Sequence, residues 1–404
     1  MQLAAIVDAV QWALPGASDF LASAWRAWSQ VAAPIVVAAL WQGAAVAAGP
    51  AICLQLAPRI SAAHRFAAWA AGFAALVCLP FLPLFSQFSA GATSGIPAHV
   101  AEAGARPWLQ LDVRWGLAIA ALWAAAFVFR AVDLAIHSLR LRKLWKSAIP
   151  VEPGGSLHSS LAHLTLRGRG PVQLCTTQEL DCPSVIGFLA PRILIPEWLL
   201  ARLTPGELEQ IVLHEAEHLR RGDDWTNLFQ KLCLAVFPLN PALWWIERRL
   251  CREREMACDD GVVRVTHAPR AYAACLASLA ERGLQRRAEA LSLGAWQRRP
   301  EVVHRVHSIL KRNYALSPLA TRTLLGALGC GLLFGSVELA QCPQWIAFVP
   351  TQTAEAAQAL APSRTIAESA PVLRAPVLRA SDTPVRRAKR FTAHASVPRK
   401  AASP

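Results

Sequence analysis

The chain has 404 residues, of which 54% are apolar and only 17% charged, with 15 Trp against 2 Tyr and a positive mean hydropathy. That balance excludes an ordinary soluble globular protein and points to a membrane protein with room for two or three folded parts. The net charge of +14 sits largely beside apolar runs, so it argues for membrane surfaces and against direct nucleic-acid binding.

Residues 1–30 lack a basic n-region, and Asp8 interrupts the first apolar run. They read as an N-terminal amphipathic segment ("AAIVDAVQWAL", 4–14) lying on the membrane, with no secretory signal peptide evident. Residues 31–136 hold three predicted transmembrane helices, at 31–54, 66–88 and 116–136. Each approaches the ~20 apolar residues that a crossing requires. Arg59 and Arg65 flank the first two, and "HSLRLRKLWK" (137–146) follows the third, whereas residues 87–105 contain no Lys or Arg. Arg305, Lys311, Arg312 and Arg322 precede a fourth span at 323–341. Basic flanks face the cytoplasm. This expects residues 137–322 in the cytoplasm, beneath a bacterial inner membrane, and both termini outside. Arg130 and Asp133, three apart at the inner end of the third span, could pair there or snorkel.

Within 137–322, "VQLCTTQEL" and "GFLAPRILIP" read as short strands broken by Pro and Gly. "LTPGELEQIVLHEAEHLRRGD" then reads as a helix with marked ends. Thr204 and Glu207 form a capping box, Pro205 takes the first helical position and Gly222 stops it. The helix carries His214-Glu215-Ala216-Glu217-His218, which satisfies both H-E-x-x-H and its inverse, H-x-x-E-H. Two histidines four apart share one helix face, as two ligands of a tetrahedral zinc require. Spacing cannot choose between Glu215 and Glu217 as the base, because each lies ~100° from one histidine.

"WTNLFQKLCLAVFPLNPALWWIERRL" (225–250) is apolar but broken by Pro238 and Pro241. It reads as a helical hairpin packed on the spans or dipping into the inner leaflet. "CREREMACDDGVV" (251–263) follows as a polar helix with Glu255 and Asp259 on one face and Glu253 opposite. A carboxylate ligand backed by a second acid would complete a His-His-Glu site. No C-x-x-C pair occurs among the ten cysteines, and Cys175, Cys182, Cys233, Cys251, Cys258 and Cys275 are expected as reduced thiols. The 342–404 tail is rich in Pro, Ala and Arg and is expected to be disordered and extracytoplasmic. It lacks the interleaved aromatics of a nucleic-acid binder.

Taken together, "PSVIGFLAPRILIP", the HEAEH helix, "FPLNPALWWIERRLCREREMACDD" and the flanking spans resemble the BlaR/MecR antirepressor membrane metallopeptidases, relatives of the gluzincins. The resemblance covers roughly residues 30–340. It implies a mainly α integral membrane protein with an α+β gluzincin-like peptidase domain between the third and fourth spans. It further implies Zn2+ held by His214, His218 and Glu255, with Glu215 as general base. Asp259 and Asp223 would support the site from behind the ligands. The implied partner is a protein or peptide substrate, such as a winged-helix transcriptional repressor. Sensor members also carry a penicillin-binding domain after the last span, whereas residues 342–404 are of low complexity and contain no S-x-x-K. "GFLAPRILIP" is expected beside the cleft, where it could accept a substrate by strand addition. The competing reading is a non-catalytic membrane receptor or scaffold with a structural zinc. The residues leave the oxyanion donor open among His163, His267 and an arginine, and they do not fix the oligomeric state.

Overall fold

The structure is a computed structural model that describes residues 17–82, 109–152, 170–289, 299–311, 317–342 and 346–349. Helix α1 spans Ala17–Leu56, starting well before residue 31, and includes Pro34 and Pro50. Residues 4–14, expected as a surface helix, lie outside the described residues, as does His163. Helix α2 (Ala62–Cys78) gives way to a 3-10 turn, Leu79–Phe81, and residues 83–88 of the predicted span lie outside the described ones. Pro80 explains the change, since it cannot donate to a helical bond.

Strand β1 (Leu109–Asp112) leads into α3 (Val113–Ser147), which Asp112 caps by accepting from the Arg114 amide at 2.7 Å. At about 52 Å, α3 exceeds the ~30 Å hydrocarbon core, so the basic run "HSLRLRKLWK" continues as helix beyond it. Arg130 and Asp133 on α3 take separate partners. The Arg130 guanidinium lies 4.1 Å over the Trp244 ring, and Asp133 meets His137 at 3.4 Å.

Four strands follow: β2 (Ile149–Pro150), β3 (Gln173–Thr177), β4 (Ser184–Ile186) and β5 (Arg192–Pro196). Their order is β2-β3-β5-β4, with β3 and β5 parallel and both outer pairs antiparallel. Alternation sets the two faces. Leu174, Ile193 and Ile195 pack on the His-bearing helix, whereas Cys175 and Leu194 pack on Leu144, Trp145 and Ala148 at the end of α3. Strand β5, the core of "GFLAPRILIP", is therefore interior and paired on both edges. It cannot accept a substrate strand. Among the described strands the outer edges belong to β2 and to β4, from "PSVI". Gly187 closes the β4–β5 turn at φ 105°, where a Cβ would fall 2.5 Å from the Ala190 carbonyl oxygen.

After α4 (Glu197–Leu200) come α5 (Pro205–Arg221), α6 (Asp223–Val236) and α7 (Pro241–Thr266). The capping box of α5 forms as the sequence predicts. Glu207 accepts from the Thr204 amide at 2.9 Å, and the Thr204 hydroxyl accepts from the Glu207 amide at 3.3 Å. Helices α6 and α7 make the predicted hairpin, and "CREREMACDDGVV" continues α7 without a break. Leu243, Ile246 and Leu250 of α7 share a buried core with Val46, Leu54, Trp69, Phe73 and Leu76 of the first two spans. Among spans in lipid such a core is held by close van der Waals packing and not by removal of apolar surface from water. Gly43 and Gly72 allow the approach, since their added Cβ atoms would press on Ala242 and Pro50.

Helices α8 (Pro269–Glu289) and α9 (Arg299–Leu310) pack Tyr272, Leu276 and Ile309 against Val262 and Val263 of α7. Helix α10 (Pro318–Gln341), N-capped by Ser317, is, among the described residues, the fourth helix long and apolar enough to cross a membrane, with α1, α2 and α3. Of the predicted tail, residues 342 and 346–349 are described. Strand β6 (Ile346–Val349) pairs in parallel with β1, Leu109 opposite Ile346. That pairing holds the start of α3 and the end of α10 on one side, and residues 350–404 lie outside the described ones.

Candidate metal centre

Helix α5 stacks His214 and His218 one turn apart, with ring centroids 4.9 Å apart and planes at 89°. Glu255, from the polar half of α7, meets both. Its carboxylate oxygens lie 3.5 Å from His214 Nε2 and 3.6 Å from His218 Nε2. One donor atom from each of the three residues falls within 4.8 Å of the others. Two imidazoles and a carboxylate at that spacing are a donor set suited to a divalent metal with an open fourth position.

The outward nitrogens are held by acids. Asp223 Oδ2 lies 2.9 Å from His218 Nδ1 and also accepts from Arg221 Nε at 3.1 Å. Gly222 makes this contact through its left-handed backbone, φ 70°, which turns the chain so that Asp223 folds back over α5. Behind His214, Tyr272 donates its hydroxyl to Asp259 Oδ1 at 2.7 Å, and its oxygen lies 3.0 Å from His214 Nδ1. Asp259, 2% exposed, also accepts from Arg305 Nε at 2.8 Å and Nη2 at 2.6 Å. The same guanidinium reaches Glu255 at 3.1 Å and His214 Nε2 at 3.4 Å.

Electrostatics bind the cluster together. Burial disfavours the His214 imidazolium, but hydrogen bonds to Asp259 and Glu255 outweigh it and raise its pKa to about 9. Burial would lift Glu255, but the hydrogen bond and charge of His214, with Arg305 and His218, hold it at about 2. Asp259 is likewise held well below the carboxylate range, against its burial, by Arg305 and His214. Glu215, buried and within electrostatic reach of both histidines, Glu255 and Arg305, is shifted upward, chiefly by burial.

Glu217 turns elsewhere. Arg220 Nε donates to it at 2.6 Å, Arg264 approaches at 3.5 Å, and its carboxyl packs over Gly261. His218, Asp223 and Cys258 form a second close group, with Cys258 Sγ 3.3 Å from His218 Nδ1. The first group is the stronger candidate, because it uses His218 Nε2, whereas the second uses Nδ1, which Asp223 already engages at 2.9 Å.

Thus the chain brings together His214, Glu215, His218, Asp223, Glu255 and Asp259. Sequence reasoning missed Tyr272 and Arg305. On sequence Arg305 is a membrane-flanking charge, whereas in the structure it lies partly buried against Asp259 because α9 folds back onto α7. His267 serves another purpose, as the left-handed C-cap of α7 at φ 52°.

Comparison with known proteins bears on this arrangement. Residues 22–309 match the sequence profile of the family described as BlaR1 peptidase M56. The regulatory protein BlaR1 of Bacillus licheniformis is 27% identical over 99 residues, covering 24% of this chain. The methicillin resistance mecR1 proteins of Staphylococcus aureus and Staphylococcus epidermidis are each 26% identical over 94 residues, 23% of this chain. The chain spans only 16% of the length of each of these relatives.

Proposed function

The chain belongs to the BlaR1 peptidase family M56, whose match covers more than half of it, and on that footing we propose a membrane-embedded zinc metalloendopeptidase working in signal transduction. One observation carries the reading: His214 Nε2, His218 Nε2 and the Glu255 carboxylate converge from two helices. In this reading those three residues hold Zn2+. The ion supplies a Lewis acid for the peptide carbonyl and lowers the pKa of water. Glu215 is the general base, taking a proton from the attacking water and handing it to the leaving nitrogen. Its upward shift suits both halves of that transfer. Asp223 and Asp259 fix the histidine rings from behind.

Arg305 supplies positive charge beside Glu255 and is our candidate for steadying the carbonyl oxygen as it gains charge. The open edge of β4, next to α5, is where an extended substrate would add its backbone. The substrate we propose is a cytosolic transcriptional repressor, the peptidase domain facing the cytoplasm and the β1–β6 side facing out.

The test compares purified wild type, Glu215→Gln and Glu255→Ala for metal content and cleavage, together with proteomics of cells carrying each. Glu215→Gln should keep its metal and lose proteolysis, and Glu255→Ala should lose metal. Full cleavage by Glu215→Gln, or full metal content in Glu255→Ala, overturns the assignment. Reporter fusions at residues 100, 160 and 350 should read outside, inside, outside.

A further inference from the structure

The α6–α7 hairpin carries an apolar stripe that the described residues leave exposed. Trp225, Phe229, Leu232 and Val236 recur every three to four residues along α6, and all four are more than 40% exposed. Polar solvent is a poor partner for such a face.

The hairpin runs beside the second span for most of its length. Arg65 at the start of α2 pairs with Glu253, Trp69 stacks edge-on with Trp245, Phe73 meets Phe229, and Phe81 meets Phe237. At the turn, Asn240 and Ala242 lie beside Gly43 of α1 and Leu76 of α2. Leu76 is eleven residues beyond Arg65, or about 16 Å of helix, which is half of the ~30 Å hydrocarbon core.

The turn is finished as a break in hydrocarbon must be, with its freed backbone groups satisfied inside the protein. Trp123, from α3, donates to the Val236 carbonyl at 3.1 Å. Trp244 donates to the Pro238 carbonyl at 3.0 Å. The buried Asn240 side chain accepts from the Ala242 and Leu243 amides at 3.1 and 3.2 Å. Polar side chains within the hairpin pair across it, Lys231 with Glu247 at 2.6 Å and Gln230 with Arg254 at 2.8 Å. Arg248 and Arg249 lie two turns back from the tip, where their stems can carry the charge to the headgroups.

From these contacts we propose that α6 and α7 form a re-entrant membrane hairpin, entering the bilayer from the side that carries the metal cluster. It turns at Phe237–Asn240 within the hydrocarbon and presents Phe229, Leu232 and Val236 to lipid acyl chains.

The test places a photoreactive benzoyl-phenylalanine singly at Leu232, Val236, Phe129 and Val303 in the full chain. Phe129, exposed on the third span, is the lipid-facing reference, and Val303, exposed on α9, is the aqueous one. Each protein is reconstituted in phosphatidylethanolamine/phosphatidylglycerol nanodiscs, irradiated and analysed by mass spectrometry. Lipid adducts at 232 and 236 should match those at 129, with none at 303. Adducts to a second copy of the chain would overturn the proposal, as would a hairpin as lipid-free as position 303 while 129 labels normally. If the protein labelled at 232 fails to fold, the reading at 236 decides.

Discussion

Tyr272 and His214 meet through a single hydroxyl, whose proton goes to Asp259 and whose oxygen therefore faces His214 as an acceptor. A carboxylate can only accept, so His214 Nδ1 must carry a hydrogen in this contact, and Nε2 is the nitrogen that would give up its proton to a metal. Tyr272→Phe removes the nearer of two acceptors at Nδ1, the other being Asp259 Oδ1 at 3.3 Å, while keeping the ring. Metal affinity should fall about 10- to 100-fold, measured by chelator competition on purified protein. Unchanged affinity would show that the ring needs no such guide.

Glu217 is the other acid of the HEAEH pentapeptide, and its partners are Arg220 and Arg264. Glu217→Gln should leave both metal content and cleavage near wild type. A dead but metal-replete Glu217→Gln protein would move the base to the inverted motif. Gly261→Ala should be the more harmful change, because its Cβ would fall 2.6 Å from the Glu217 carboxyl carbon. Cleavage assays on the two variants rank them.

Arg65 pairs with a Glu253 side chain that is only 4% exposed, at 2.9 Å. Arg65→Met leaves that carboxylate buried without its cation and should cost about 3–5 kcal/mol. Adding Glu253→Gln should recover most of the loss, as read by thermal unfolding in detergent. Equal damage in the single and double variants would mean that the ion pair is not the source.

Glu207 is held below its ordinary range, first by the Thr204 amide, despite some burial, and further by the Thr204 hydroxyl and Arg282. A depressed carboxylate adds stability that is complete above its unfolded pKa, about 4.3, and disappears as pH falls through the folded value. Wild type should therefore melt above Glu207→Gln at neutral pH, and the gap should close on acidification. Scans in chelator separate this from metal loss. A gap that persists at low pH would locate the effect outside the ionised cap.

Local chemistry made α5 legible. Its capping box, proline, terminal glycine and paired histidines all lie within a few turns of one helix. Glu255 and Asp259 were legible for the same reason, as neighbours at helical spacing on one face. Tyr272 and Arg305 were not. They reach His214 from 58 and 91 residues away, and a lone Tyr or Arg carries no spacing signal. Arg305 also sits among basic residues near a span, where charge alone suggests a membrane flank. The β1–β6 ladder was equally hidden, because parallel pairing between distant segments depends on the helices that bring them together.

Helix α7 is unbroken from Pro241, wedged among the spans, to Glu255 in the cluster. That stretch is a rod about 21 Å long, and a tilt of about 3° at its anchored end displaces the carboxylate by about 1 Å. A misplacement of that size can slow catalysis about a hundredfold. In the proposed peptidase, lipid thickness and span rearrangement would reach the reaction rate through this one mechanical coordinate.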